Sequence, residues 1–382
     1  MPQHRFRLFD DLSFLQSLDK PGILSRFLAR HRSHFARQGL DIDALSNDEA
    51  CARLLLDVFT RPERMPGDLL RDLYVVDEVA DEDGHERILE EAERLGIDLR
   101  SIPSDVCCGD FAILVFLKDS HLIRICHEKT ISRQVKRYYE YRSKEQRRFD
   151  LAEVETATKS SKAILAPWFE QRKRTPKCET FVYQENDEVR ILITHGGLFR
   201  SDGSITNSLK LTRLGWRPQK HDSVIYDTRT GVLKVHAQFE PERQIYREAL
   251  GQALASDRDY FVAGPCYTLE PLRLNGGALF LADGVDRARL TEVVVETDST
   301  DCNQVRYKGN DLTAMVSGCG TLPFPAGEIV LGCFALHYTS GGRARKLEMR
   351  LPNVADYDRD RDGPPTEAFI RANRFPTSDA EC

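Results

Sequence analysis

Asp222 and Asp227 flank the apolar run Val224-Ile225-Tyr226, and Lys234 lies on the segment that returns after Thr228-Arg229-Thr230-Gly231. Two carboxylates and an amine are what a Mg²⁺-dependent nuclease needs: the acids hold the metal and the lysine lies near the attacking water. Glu292, on another apolar segment four residues before Glu296, is the further candidate carboxylate. The set is incomplete, because nucleases of this kind carry an acid two residues before the lysine and Val232 occupies that position. Turn residues and exposed strand charges account for the same four positions.

A second acidic pattern is Asp358-Arg359-Asp360-Arg361-Asp362-Gly363. Alternating carboxylates before a glycine match the first half of a calcium loop. The match then fails, because Pro364-Pro365 follows, Phe369 stands where a bidentate glutamate is required, and only Glu367 is nearby. Asp358, Asp360 and Asp362 are therefore weak candidates for Ca²⁺ or Mg²⁺, and a charged surface loop with internal Arg–Asp pairing is the expectation. No other cofactor is predicted. A zinc site from Cys302, Cys319, Cys333 and His337 is conceivable, although the chain has no C-x-x-C pair and buried reduced thiols explain its cysteines better.

The densest positive charge runs from Lys129 to Arg148, with Lys129, Arg133, Lys136, Arg137, Arg142, Lys144, Arg147 and Arg148 opposed only by Glu140 and Glu145. Tyr138, Tyr139 and Tyr141 are interleaved, and Arg172, Lys173 and Arg174 close the stretch. Phosphates select for Lys and Arg on one face, and aromatic rings stack on bases. DNA or RNA is the partner this pattern implies, with Tyr138 and Tyr141 as stacking candidates. The competing expectation is pairing with Asp41–Asp98, which holds eighteen acidic and six basic residues. A protein partner or a second copy of the chain then takes the place of nucleic acid.

Periodicity supplies the elements that position these groups. Segments 20–37, 46–59, 66–79 and 84–95 repeat apolar residues at helical spacing, as in a helical bundle. Phe111–Leu117 is apolar throughout and reads as helix from its context. Leu151, Val154, Thr158, Ser161, Leu165 and Trp168 form one helical stripe, kinked or restarted at Pro167. After Pro176 the period becomes two: hairpins are expected at 179–194, 223–237 and 328–351, with a helix over 240–255 and strands at 268–274, 290–297 and 304–308. His195-Gly196-Gly197 closes the first hairpin, and its histidine reads as a turn residue. Segment 356–365 reads as an exposed loop before a short helix at 366–374.

The fold class is therefore α+β, with a helical N-terminal part followed by a strand-rich mixed or antiparallel sheet carrying a packed helix. The expected divisions are an acidic helical domain (1–127), a basic helical connector (128–177), a β-rich domain (178–351) and a polar C-terminal tail (352–382). The chain has 382 residues, 41% hydrophobic and 30% charged with a net charge of −6, which supports buried cores rather than disorder. No 18-residue apolar run is present and residues 1–7 lack an apolar leader, so the expectation is a cytoplasmic protein with no membrane partner. The glycine pairs lack the Walker lysine and the Rossmann spacing, which excludes the common ATPase, kinase and dehydrogenase motifs. The leading expectation is a non-catalytic nucleic-acid-binding or assembly subunit of a bacterial multiprotein system, antiviral defence being one setting. The alternatives are a Mg²⁺-dependent nuclease and a protein-interaction scaffold built on complementary acidic and basic faces.

Overall fold

The computed structural model describes residues 6–18, 21–46, 48–60, 65–145, 147–205, 210–297, 303–313 and 324–377. The chain divides into two compact units, Met1–Ile131 and Ser132–Cys382.

The first unit is helical. Asp11 caps α1 (Leu12–Ser17). The segment expected as one helix over 20–37 is α2 (Pro21–Leu28) and α3 (Arg32–Arg37), joined by a single 3-10 turn. Asp48 caps α4 (Glu49–Phe59) by accepting from the Cys51 N–H at 2.8 Å. α5 (Gly67–Asp77) buries Leu69, Leu73 and Val76, as the spacing predicts. α6 (Glu82–Leu95) ends at Gly96, whose φ of 68° suits glycine. In α7 (Cys108–Lys118), Phe111, Ala112, Ile113, Val115 and Phe116 are all buried. Leu114 and Leu117, on the less buried side, are apolar too, so the helix has no polar stripe and its sequence alone resembles a buried strand. α8 (Ser120–Arg133) completes the unit.

The second unit is built on β1 (Arg137–Ser143), which falls inside the stretch expected to be a helical connector. Its aromatic run favours a strand, and alternation gives each face its own residues. β2 (Cys178–Glu185) and β3 (Glu188–Gly196) form the expected hairpin, with Asn186 turning at φ 53°. β4 (Arg200–Ile205) and β5 (Leu211–Trp216) make a separate two-stranded ribbon. β6 (Gln219–Asp227) and β7 (Leu233–His236) are the second expected hairpin. Its turn is held by Asp227, which accepts from the N–H groups of Arg229 (3.0 Å) and Thr230 (2.8 Å).

The remaining strands are β8 (Phe261–Val262), β9 (Val285–Glu296), β10 (Gln304–Lys308), β11 (Glu328–Tyr338), β12 (Arg345–Arg350) and β13 (Val354–Asp356). Among the described residues, eleven strands join one sheet in the order β10-β9-β11-β12-β13-β1-β7-β6-β3-β2, with β8 on β1. Every pairing in it is antiparallel.

Cross-strand partners share a face. Glu140, Lys234, Ile225 and Arg190 lie on one side, and Tyr139, Val235, Val224 and Ile191 on the other. α9 (Leu151–Gln171) and α10 (Glu240–Ala255) cover the second face, burying Val154, Leu165, Phe169, Ile245 and Ala249 against it. Asp150 and Glu153 form a capping box at the start of α9, and the helix continues through Pro167 to Gln171 rather than restarting there. Segment 268–274, expected as a strand, contains the short helix α11 (Glu270–Leu274); Pro271 lacks the N–H that a ladder would use.

The short helix expected at 366–374 is present among the described residues and starts earlier than its expected bounds. Segment 356–365, expected as an exposed loop, starts α12 (Arg359–Ala372), which packs Phe369 and Ile370 into a core with Leu347, Met349 and Ala355. Arg359 lies 4.6 Å from the Tyr138 ring centre, which places α12 over the first face of the sheet. Among the described residues, no helix is long and apolar enough to cross a membrane.

Candidate nucleic-acid interface

The charges of the basic segment have partners within the chain, although Lys136, Arg137, Lys144 and Arg147 are exposed. Arg133 pairs with Glu185 and lies 3.2 Å from Asp360. Lys136 meets Asp358 at 2.9 Å, and Arg137 meets Asp356 at 2.8 Å and Glu348 at 3.4 Å. Arg142 donates to Thr377, Lys144 pairs with Asp257 at 2.8 Å, and Arg147 with Glu153 at 3.1 Å. Arg148 donates to the Arg229 carbonyl at 2.9 Å. Lys129, the one member within the first unit, pairs with Glu91. Tyr138 is 0% exposed with its hydroxyl 2.9 Å from Ser223, and Tyr141 is buried, so neither ring is open to a base.

The nuclease candidates are divided between surfaces. Asp222 and Asp227 are five residues apart on one strand, so alternation turns them to opposite faces. Asp222 is buried under the helices, 2.9 Å from His195 Nε2 and 2.6 Å from the Tyr246 hydroxyl. Burial and the Asp222 carboxylate push the Tyr246 phenol well above its ordinary pKa, so it keeps its proton and donates a hydrogen bond to the carboxylate. His195 is correspondingly a buried strand residue, its ring stacked 4.5 Å from Phe169, rather than the turn residue expected. Glu292, on β9, pairs with Arg306 and lies 3.7 Å from Lys308.

Lys234 lies on the opposite face from Asp222. It donates to Glu188 at 2.7 Å, with Glu367 at 3.9 Å. Burial pushes the ammonium pKa down, but the surrounding carboxylates Glu188, Glu140 and Glu367 outweigh it, and the pKa is raised. Lys234 is thus a fixed cation rather than a proton acceptor. Of the four candidates, Asp227 and Lys234 line one cavity together, with Glu140 and Glu367.

The calcium-loop candidates begin a helix instead. Asp358 is the N-cap of α12, accepting from the Arg361 N–H at 3.3 Å. Carboxylates in a first turn are favoured by the helix dipole, which explains the acidic spacing without a metal. Asp360 faces Arg133, and Asp362 pairs with Arg345 at 2.6 Å. Cys302 and Cys319 lie outside the described residues. Cys333 is buried, which pushes its thiol up to about 11, and His337 lies 3.3 Å from Arg289. Among the described residues, no group of three or more His, Cys, Asp or Glu is placed to hold a metal ion.

A surface the periodicity did not reveal is the β4–β5 ribbon. Phe199 is 61% exposed, Leu211 84% and Trp216 41%, with Leu198 also exposed. Residues 198–217 hold Arg200, Lys210, Arg213 and Arg217 against a single acid, Asp202. Six residues per strand give a ribbon about 20 Å long, by the usual rise of a strand. Such an isolated hairpin is marginal in water, so its base must be secured. Arg217 does this by donating to the Lys173 carbonyl and, at 3.1 Å, to the Gly197 carbonyl. The Gly197 N–H in turn donates to the Pro218 carbonyl at 2.7 Å. Phe199 lies across the ribbon at Gly215, where a Cβ would meet its ring at 2.4 Å.

The base of the ribbon adjoins the end of α9. Residues 171–177 carry Arg172, Lys173, Arg174 and Lys177 and no acid. Arg174 is buried against Glu242 and acts as an anchor. Arg172 lies 4.0 Å from the Trp168 ring centre, while Lys173 and Lys177 are exposed. A groove of about 650 Å³ between these parts is lined by Glu170, Lys173, Leu198, Phe199 and Arg217. Cationic and aromatic side chains are thus gathered on one protruding edge, with Arg172 and Lys173 the members of the original basic stretch that belong to it. A sequence signal was present in the charge excess, but strands exposed on both faces show no apolar alternation to mark them. No protein-family model matches the chain, and no curated protein shows significant similarity to it.

Proposed function

We propose that the chain is a non-catalytic nucleic-acid-binding subunit that engages DNA or RNA through the β4–β5 ribbon and the C-terminal end of α9. The supporting observation is the exposed basic ribbon with open aromatic side chains, fixed at its base by Arg217. A two-stranded ribbon has the width to enter a duplex major groove, and exposed aromatic rings can stack on unpaired bases. Cations at the base would meet the phosphates on either side. This reading moves the interface away from 129–148, whose charges already have carboxylate and carbonyl partners, to 172–177 and 198–217. Within it, the chain acts in the cytoplasm as part of a bacterial multiprotein assembly, antiviral defence being one setting.

Fluorescence anisotropy with labelled duplex DNA, single-stranded DNA and RNA at two salt concentrations tests the proposal. Binding is expected at low salt and should weaken as salt rises. Arg200→Glu with Arg213→Glu should weaken it without altering thermal stability. Absence of salt-sensitive binding to all three probes overturns the reading. Concentration-dependent self-association by light scattering, lost on Leu211→Ser and unaffected by salt, would instead assign the ribbon to a protein contact.

A further inference from the structure

Between the first face of the sheet and α12 lies a cavity of about 330 Å³. This is at the lower end of the range for small-molecule sites. Its floor is polar: Glu140 and Lys234 reach it from adjacent strands, and Tyr267 and Tyr357 from the surrounding segments. All four are buried. Val232, Ile370 and Pro376 supply apolar wall.

The charges at the floor have partners behind it. Lys234 is held by Glu188 at 2.7 Å, and Glu140 lies 3.8 Å from Arg359. At the mouth, Asp227 accepts two N–H groups of its own turn. The mouth also carries Arg142, Arg229 and Arg371. Two of these arginines are loosely engaged. Arg229 is 3.9 Å from Asp187, Arg371 is 3.8 Å from Glu367, and both side chains are more than half exposed. Pairs at that distance and exposure contribute little, so both guanidiniums are available to a better acceptor. A planar guanidinium meets a phosphate or carboxylate with two parallel hydrogen bonds.

We propose that this cavity binds a small organic anion, a phosphate monoester or a carboxylate. Its charged end is held by Arg229 and Arg371 at the mouth, and its body enters between the tyrosines and the apolar wall. The site is separate from the ribbon, and it requires no metal and no chemical step.

Isothermal titration calorimetry of the full chain with inorganic phosphate, adenosine 5′-monophosphate and 4-hydroxybenzoate tests this. One of the two organic probes is expected to bind, and more tightly than inorganic phosphate; which one binds distinguishes the phosphate from the carboxylate source. Arg229→Glu and Arg371→Glu, made separately, should each weaken binding by about tenfold or more, the value of a charge-assisted hydrogen bond. Both positions are exposed, so melting temperatures should be unchanged, and should one variant fail to fold the other still decides. Arg213→Glu on the ribbon should leave the affinity as it is. The proposal is overturned if neither organic probe binds at millimolar concentration, or if binding survives both arginine reversals.

Discussion

Lys234 shows how this protein handles charge. An ammonium removed from water is tolerated only when carboxylates replace the solvent, and Glu188 at 2.7 Å with Glu140 and Glu367 nearby does so. Removing one partner of such a buried pair strands the other. Lys234→Met is therefore expected to destabilise the fold by about 3–5 kcal/mol, read from urea denaturation, and Glu188→Gln in the same chain should recover part of the loss. A loss below about 1 kcal/mol, the scale of an exposed pair, would show the pair to be solvated.

The same pair sets an acid limit. Burial alone would raise the Glu188 pKa, but Lys234 and Arg190 more than reverse it, leaving the folded value below 4.5. Glu348, with Lys346 and Arg137, is lowered from the same starting value. A carboxylate with a depressed folded pKa binds protons more readily when unfolded. Its stabilisation is complete above pH 4.5 and is lost as pH falls through the folded value. Melting temperature measured downward from pH 6 should hold and then drop below about pH 4.5, and the drop should be shallower in Glu188→Gln. A profile flat to pH 3 would contradict this.

At the scale of elements, what could be read from the sequence depended on whether an element's residues carry their own explanation. Leu69, Leu73 and Val76 lie on one helical face because they are apolar at that spacing, so the first unit's helices were legible. The hairpin at Glu185-Asn186-Asp187 was legible from its turn residues. β1 was not. Its arginines find partners far along the chain, Arg137 at Asp356, a separation of 219 positions, and Arg142 at Thr377. No local pattern reports such pairing, and an unpaired view of the same charges suggests a surface. The three aspartates from Asp358 were misleading for a related reason, since capping and a calcium loop both require closely spaced carboxylates.

The ribbon depends on one small residue. Because the Phe199 ring occupies the space a Cβ would take at Gly215, Gly215→Val should displace the ring and weaken nucleic-acid binding several-fold. Phe199 is already exposed, so folding stability read from urea denaturation should change by no more than about 0.5 kcal/mol, as for surface substitutions generally. A variant with native affinity would remove Phe199 from the interface.

Across the whole chain, the net charge of −6 hides two opposed distributions. The acidic excess is concentrated in Asp41–Asp98, and the stretch Lys129–Lys177 carries fourteen basic and six acidic residues. Within the second unit the cations of 133–148 are each engaged by a partner in the same chain, four of them in exposed pairs, while the ribbon and the end of α9 add cations beside open aromatic rings. Local charge, rather than net charge, governs phosphate binding, so an acidic protein can carry such an edge.

The most direct measurement is the slope of log affinity against log salt for duplex DNA, single-stranded DNA and RNA, comparing the native chain with Lys173→Glu/Arg200→Glu/Arg213→Glu. Each phosphate contact contributes about 0.7–0.9 to the slope. The native chain should bind at least one probe with a slope of about 3 or more, and the triple variant should lose about 2 or more of it at unchanged melting temperature. An identical slope in the two proteins, or no salt-dependent binding by the native chain, would contradict the assignment of the ribbon as a nucleic-acid interface.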